Sequence, residues 1–518
     1  MYRRLVWGPG EAHLVRDDMG VGGAPGRAQR RTSMLYFAQH TDAHICDAQS
    51  PGRLEVGERL AWLAPGTDAG HRPQEHATVQ VFDQMVRATN AVRLSPVSGA
   101  PMAFCVETGD NTDNRQYAEL RWFIDTLDGR VVTPNTGSSR YEGAQAMAEL
   151  AWVYHPEDPS QDLYGRFGFP RLPGLLESSI LPFQTAGSAV PWLTVMGNHD
   201  VIWQGTFGSG GRSSLGDVGD RLALSGAKVT RFRSVLALLA AASLEGHGVS
   251  DRLERVGRRG SVEVTADPVN RRALSLREQI GEYFATEPEP GPVGHGFTAE
   301  NLSDGTAYWA RPHGDRFLLI GLDTNNHTTG SEGRMGPRQV LWLADQLAAA
   351  RRSDRLVVVF SHHNSWTMTN SSGDDHDPGR ATDGGELVDL LRRDPRVILW
   401  VNGHAHENRI ECHRGVGRPG RGFWEVCTAS CIDFGQQSRT FEVFDNGDGT
   451  LSILVTVLDH AADLAVGVRG DGRYSPAELA SFSRELAAND ARWVDPWEQR
   501  GRAEDRNVEL IVDVAARD

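Results

Sequence analysis

The chain has 518 residues, with 53 Lys and Arg against 68 Asp and Glu, a formal net charge of -15. That length predicts two domains or one domain with large insertions, and the acidic balance disfavours non-specific attraction to nucleic acid or an anionic membrane. The five cysteines, Cys46, Cys105, Cys412, Cys427 and Cys431, are odd in number and lack CxxC spacing, which suits reduced thiols.

In chain order, the opening "MYRRLVWGPGEAHLVRDDMG" has no apolar core of a secretory signal, so a cytoplasmic location is expected. Six short apolar runs then end in polar residues: "MLYFAQHTDAH" (34–44), "MAFCVETGD" (102–110), "PWLTVMGNHD" (191–200), "RFLLIGLDT" (316–324), "RLVVVFSHH" (355–363) and "RVILWVNGHAH" (396–406). Each predicts a buried strand with function at its carboxyl end. Helical patterns at 74–92, 336–352 and 384–393 lie between several of them, and the alternation predicts an α/β layered core with its ligand site at the strand ends.

Residues 115–185 and 204–300 separate consecutive strands by far more than a usual connection and are expected to be insertions that cap or flank the site. Within the second, "GTFGSGGRSSLGD" (205–217) predicts a mobile loop, since it lacks the Lys-Ser/Thr ending of a phosphate-binding loop. The longest greasy patch, "VLALLAAASL" (235–244), is about half the roughly 20 residues of a membrane span and predicts a buried helix segment. Toward the end, 439–459 has a hairpin pattern turning at "NGDG", 475–490 a helix capped by Ser475 and Glu478, and 507–514 a final strand.

The strand ends collect Asp42, His44, Asp110, Asn198, His199, His362, His363, His404 and His406. Asp-x-His and His-x-His put two donors on one side of an extended segment, as a shared metal requires. One such pair is ordinary loop polarity. Five donor-bearing strand ends together point to a cation, because converging imidazoles and carboxylates would otherwise be costly to desolvate.

The motifs "DAH" at 42, "GDNTD" at 109, "GNHD" at 197, "SHH" at 361 and "GHAH" at 403 stand in the order D-x-H, GD-x-x-D, GNH-D/E, His, GH-x-H, over about 34–410. The chain thereby resembles the calcineurin-like metallophosphoesterase superfamily, and "LDTNN" at 322 followed by "GPRQVLWLADQL" at 336 resembles its phosphodiesterase branch. The resemblance implies a four-layer α-β-β-α sandwich over 34–460, preceded by an N-terminal arm (1–33) and followed by a helix and strand extension (461–518).

It also implies two divalent metals, manganese, iron or zinc. Asp42, His44, Asp110 and His406 would hold one, and Asp110, Asn198, His362 and His404 the other, with Asp110 bridging. Hydroxide generated between the two would attack phosphorus. His199 would sit by the leaving oxygen as general acid or electrostatic partner, oriented by Asp113, for which a loop cap is the competing reading. His363, adjacent to the ligand, would face substrate or support the ligands, and Asn114 is a further candidate substrate contact.

Asp113 departs from the metal-bound tyrosine of purple acid phosphatases, and Asn114 from the phosphate-clamping arginine of protein phosphatases. The expected activity is phosphodiester hydrolysis of a small or nucleotide-like molecule. Phosphomonoesterase chemistry (a nucleotidase or general phosphatase) in the same site is the alternative, and a non-catalytic metal-binding scaffold is the rival from another class. A nuclease role lacks a basic, aromatic-rich track. His71 and His76 are expected at a helix start with Arg72 and Glu75 solvated, His155 in a turn, and Asn408 in a loop hydrogen bond.

Overall fold

A computed structural model describes residues 1–56, 70–210, 214–231, 260–416, 420–465, 467–490 and 496–514. The greasy patch at 235–244 lies outside the described residues.

Each of the six apolar runs forms a strand. In chain order the strands are β1 (Leu14–Arg16), β2 (Thr32–His40), β3 (Phe104–Thr108), β4 (Val131–Val132), β5 (Phe183–Gln184), β6 (Trp192–Val195), β7 (Ala227–Val229), β8 (Ser261–Glu263), β9 (Trp309–His313), β10 (Phe317–Gly321), β11 (Leu356–Phe360), β12 (Val397–Asn402), β13 (Arg409–Arg414), β14 (Gly422–Cys427), β15 (Gln437–Asp445), β16 (Thr450–Asp459) and β17 (Val508–Asp513). Two sheets dominate. One runs β1-β17-β16-β15-β2-β3-β6 and the other β13-β14-β12-β11-β10-β9. Parallel pairing of β2 with β3, β3 with β6, and β10 with β11 with β12 sends the carboxyl ends of the motif strands to one rim.

The sheets pack face to face through aromatic side chains. Phe360 of β11 meets Phe37 and Phe104 edge-on, with ring centres 5.8 and 6.1 Å apart. Buried indoles also cross the gap. Trp309 of β9 donates to the Thr194 carbonyl of β6 at 2.8 Å, and Trp424 of β14 to the Ile511 carbonyl of β17 at 3.1 Å, so neither buried N–H is left without an acceptor.

Helices cover both outer faces, giving an α-β-β-α order. Over the first sheet lie α1 (Thr78–Ala91) and α2 (Tyr117–Leu127), whose Phe82 and Phe123 stack at 5.0 Å; over the second lie α3 (Pro337–Arg352) and α4 (Gly384–Leu391), whose Leu343, Leu347, Leu387 and Leu391 pack on Ile320, Val357, Val359 and Trp400. The final helix α5 (Pro476–Ala487) begins with the expected Ser475–Glu478 capping box.

Several expectations change. The 74–92 helix starts with a short 3-10 turn at Glu75–Ala77, and Arg72 and Glu75 are buried rather than solvated. Residues 115–127 belong to the core layer, because the apolar face of α2 is buried against the first sheet. In the Gly/Ser-rich stretch, Trp203 bridges Phe207, which bridges Thr329, and a helix runs Ser214–Ala223; its described part is built structure rather than a loose loop. Both termini join the main sheet, since β17 pairs with β16 and β1 with β17. No helix among the described residues is long and apolar enough to cross a membrane.

Candidate active site

The donor residues follow directly on the strand ends, and their backbone is unusual. Asp42, His44, Asp110, His404 and His406 all take left-handed φ values, between 41° and 68°. Non-glycine residues seldom do so, and such strain clusters where function over-determines the chain. Main-chain bonds hold the loops in register: the Asp42 N–H donates to the Gly109 carbonyl at 3.0 Å and the His44 N–H to the Asp110 carbonyl at 2.8 Å. Close approach of the "GD" and "GNH" loops needs glycine. A Cβ at Gly109 would lie 2.6 Å from the Gly197 nitrogen.

The side chains converge in two groups that share Asp110. Its Oδ1 accepts the His199 N–H at 2.8 Å, while its Oδ2 lies 3.5 Å from His44 Nε2 and 3.3 Å from His362 Nε2. On the first side, His406 Nε2 is 3.3 Å from His44 Nε2 and 3.3 Å from Asp42 Oδ1. On the second, His362 Nε2 is 3.0 Å from Asn198 Oδ1 and 3.2 Å from His404 Nδ1.

Tautomers decide what these contacts mean. His362 Nδ1 donates to the Thr108 carbonyl at 2.9 Å, His406 Nδ1 faces the Asp433 carboxylate at 2.7 Å, and His44 Nδ1 faces the Asp113 carboxylate at 3.2 Å. Each outward nitrogen therefore carries a proton, which leaves the three inward Nε2 atoms to bind a cation or, without one, to take up a second proton. Asn198 donates Nδ2–H to the Gly205 carbonyl at 3.0 Å, which turns its oxygen inward. Asp42 Oδ2 is held by the His404 N–H at 3.0 Å, yet its buried Oδ1 accepts no hydrogen bond. Nitrogen and oxygen atoms that face one another this closely need protons or cations between them, so the donor set fits two divalent metals.

Titration points the same way. Burial opposes charge on His362 and His406, but Asp110 and Asp42 respectively overcome it and push both rings up to about 9. The metal-free site thus holds protons that cations would displace. Burial, followed by Asp110, raises Asp200 to about 6; its oxygens accept the Gly197 and Thr112 N–H groups at 2.8 and 2.9 Å and tie the two loops together.

His199 is the partly exposed ring beside this group, its centre 4.5 Å from that of His44. Its orientation corrects one expectation. His199 Nδ1 donates to the backbone carbonyl of Asp113 at 2.7 Å, whereas the Asp113 carboxylate faces His44 and lies 3.0 Å from Arg53 Nε and 3.6 Å from Arg72 Nη1. Main chain, rather than the carboxylate, orients the ring.

His363 and Asn114 are also corrected as substrate contacts. His363 is fully buried with Nδ1 on Thr324 Oγ1 at 3.0 Å and Nε2 on the Ser331 carbonyl at 2.9 Å, and Asn114 is buried with its Oδ1 accepting the Gln204 N–H at 2.8 Å. His71 is buried 3.1 Å from Glu75, His76 bonds Gln145, His155 bonds the Gln145 and Leu150 carbonyls, and Asn408 makes loop hydrogen bonds to Gln437 and Arg439; none lies among the converging donors.

Sequence reasoning missed a buried ionic frame behind the first side. Arg72 reaches Asp113 and also Asp433, 3.2 Å away, so one guanidinium links the carboxylates that hold His44 and His406; Arg53 joins Asp113 to Glu75. It also missed Gly205, at φ 64°, where a Cβ would fall 2.5 Å from both His199 Nε2 and Asn198 Nδ2.

A family model described as calcineurin-like phosphoesterase matches residues 162–408, which hold Asn198, His199, His362, His404 and His406. A probable cyclic nucleotide phosphodiesterase of Synechococcus sp. (strain WH7803) is 31% identical over 93 residues, 18% of this chain and 33% of that relative, so the match spans a third of the relative's length. Among solved structures, a dimetal phosphatase from Danio rerio has 10% identity and a TM-score of 0.36, covering 83% of this chain and 97% of its own. A purple acid phosphatase from yellow lupin (Lupinus luteus) has 11% identity and a TM-score of 0.32, covering 82% and 52%.

Proposed function

We propose that this chain, whose residues 162–408 match a calcineurin-like phosphoesterase model, hydrolyses phosphodiesters of small or nucleotide-like molecules at a two-metal centre. The observation that carries the proposal is Asp110 Oδ2, set between the inward Nε2 atoms of His44 and His362. Asp42, His44, Asp110 and His406 would hold one cation, and Asp110, Asn198, His362 and His404 the other. Imidazole, carboxylate and amide donors suit manganese, iron or zinc. When bound, the metals supply Lewis acidity that draws charge from the phosphoryl oxygens and makes water acidic near neutral pH.

The chain's own residues position and move protons. The Asp113 carbonyl holds the His199 Nδ1–H, so Nε2 is the atom left to face the leaving oxygen, and it passes a proton there from the doubly protonated ring. A side chain at Gly205 would collide with that nitrogen. Asp113 and Asp433 hold His44 and His406 in the tautomer that directs Nε2 inward.

Preference for diesters is supported by the Synechococcus relative's description and by Asn114 standing where protein phosphatases carry a clamping arginine. Five free cysteines, four of them buried, support a reducing compartment, and the cytoplasm is the proposed location. Manganese-loaded protein is expected to hydrolyse bis-p-nitrophenyl phosphate faster than p-nitrophenyl phosphate. A large excess for the monoester would replace the diesterase reading with a phosphomonoesterase. His199→Ala is expected to lower kcat by about 10²- to 10⁴-fold with metal content unchanged; an unaltered background rate would favour the scaffold reading.

A further inference from the structure

A second cluster of metal-binding side chains lies beneath the proposed centre. His40 ends β2, and Cys105 and Glu107 stand two apart on β3, so both project from one face of the strand. Parallel pairing sets His40 opposite Glu107. All three are buried, at 1% exposure each, on the side where α1 brings Phe82 against the His40 ring.

The donor atoms form a compact triangle: His40 Nδ1 to Glu107 Oε1 is 3.1 Å, Cys105 Sγ to His40 Nδ1 3.6 Å, and Cys105 Sγ to Glu107 Oε1 3.5 Å. Usual zinc bond lengths at tetrahedral angles give edges of about 3.4 Å for N–O and about 3.6 Å for S–N and S–O. Across the ring, Nε2 sits 2.7 Å from Thr89 Oγ1, the outer partner that would hold the proton and leave Nδ1 free to bind. Hydrogen bonds can join the same atoms, since the Cys105 S–H can donate to Glu107 Oε1, so it is the match of all three edges to a tetrahedral metal that carries the reading. Cys431, whose N–H donates to the Thr41 carbonyl at 3.1 Å, brings a second buried thiol near enough for Glu107 to push its pKa up further than burial alone does.

We propose that His40, Cys105 and Glu107 bind a third divalent metal, zinc by chemistry, as a structural tie between β2 and β3. On binding, the Cys105 thiol gives its proton to solvent and the sulfur bonds the cation. This site is separate from the hydrolytic centre, whose donors include no sulfur, so either can fail alone.

Cobalt(II) tests it. Wild-type protein saturated with cobalt is expected to show a near-ultraviolet sulfur-to-cobalt charge-transfer band and one cobalt beyond those of the hydrolytic centre. Asp110→Ala and Cys412→Ser should keep the band, and Cys105→Ser should lose both the band and that cobalt. A saturated wild type without the band, or a band that survives Cys105→Ser, overturns the proposal. The wild-type spectrum decides the matter even if Cys105→Ser fails to fold.

Discussion

The two sides of the proposed centre are supported in different ways. Behind His44 and His406 stand buried charges: Asp113 and Asp433, joined by Arg72 and backed by Arg53 and Glu75. Behind His362 and Asn198 stand main-chain carbonyls, those of Thr108 and Gly205. One side therefore depends on distant side chains and the other on the path of the backbone. Asp110, which touches both, should be the residue whose loss makes them indistinguishable.

Asp110→Ala is accordingly expected to remove both metals and at least about a thousandfold of phosphodiester hydrolysis, since metal stabilisation of several kcal/mol converts at ~1.4 kcal/mol per decade. Metal analysis beside the rate assay checks this, and retention of both metals would refute the bridging role. Gly109→Ala attacks the backbone-supported side. Its φ of 90° and the 2.6 Å approach to the Gly197 nitrogen predict a loss of about 3 kcal/mol or more in chemical denaturation. Asp433→Asn attacks the charged side alone. It should weaken one metal by about 10- to 100-fold in titration while the other stays, as changes behind a ligand commonly do; equal weakening of both would erase the contrast.

How much of this was legible in the sequence follows the same division. Strand ends and their donors were, because each motif is a local string at the end of an apolar run. The charged frame was not: Arg72 and Asp433 are 361 positions apart, and "HRPQEH" reads locally as a solvated helix start. The partner of His199 was missed for a different reason, since a side-chain pattern says nothing about which carbonyl a ring will meet. The three residues of β1 carry no alternation to announce a strand and gain their place only by pairing with β17 at the far end of the chain.

A baseline away from the centre sharpens the comparison further. His295, stacked on Trp192, is lowered to about 3 by burial. The unfolded chain takes up its proton near pH 6.5 while the folded chain does not, so its contribution is complete above that pH and is lost as the pH falls toward 3. Thermal melting of metal-free protein should show stability falling on acidification, with His295→Gln removing up to about 1.4 kcal/mol per pH unit of that slope.

The left-handed backbone at Asp42, His44, Asp110, His404 and His406 sets a tension between working and lasting. Replacing His404, whose ring faces His362 rather than a buried carboxylate, by glycine would abolish a ligand and yet relieve about 1 kcal/mol of local strain, so this metal-free dead variant should melt no lower than the metal-free parent. Selection for a sturdier empty scaffold and selection for hydrolysis would then pull position 404 in opposite directions, and its present residue records which has prevailed.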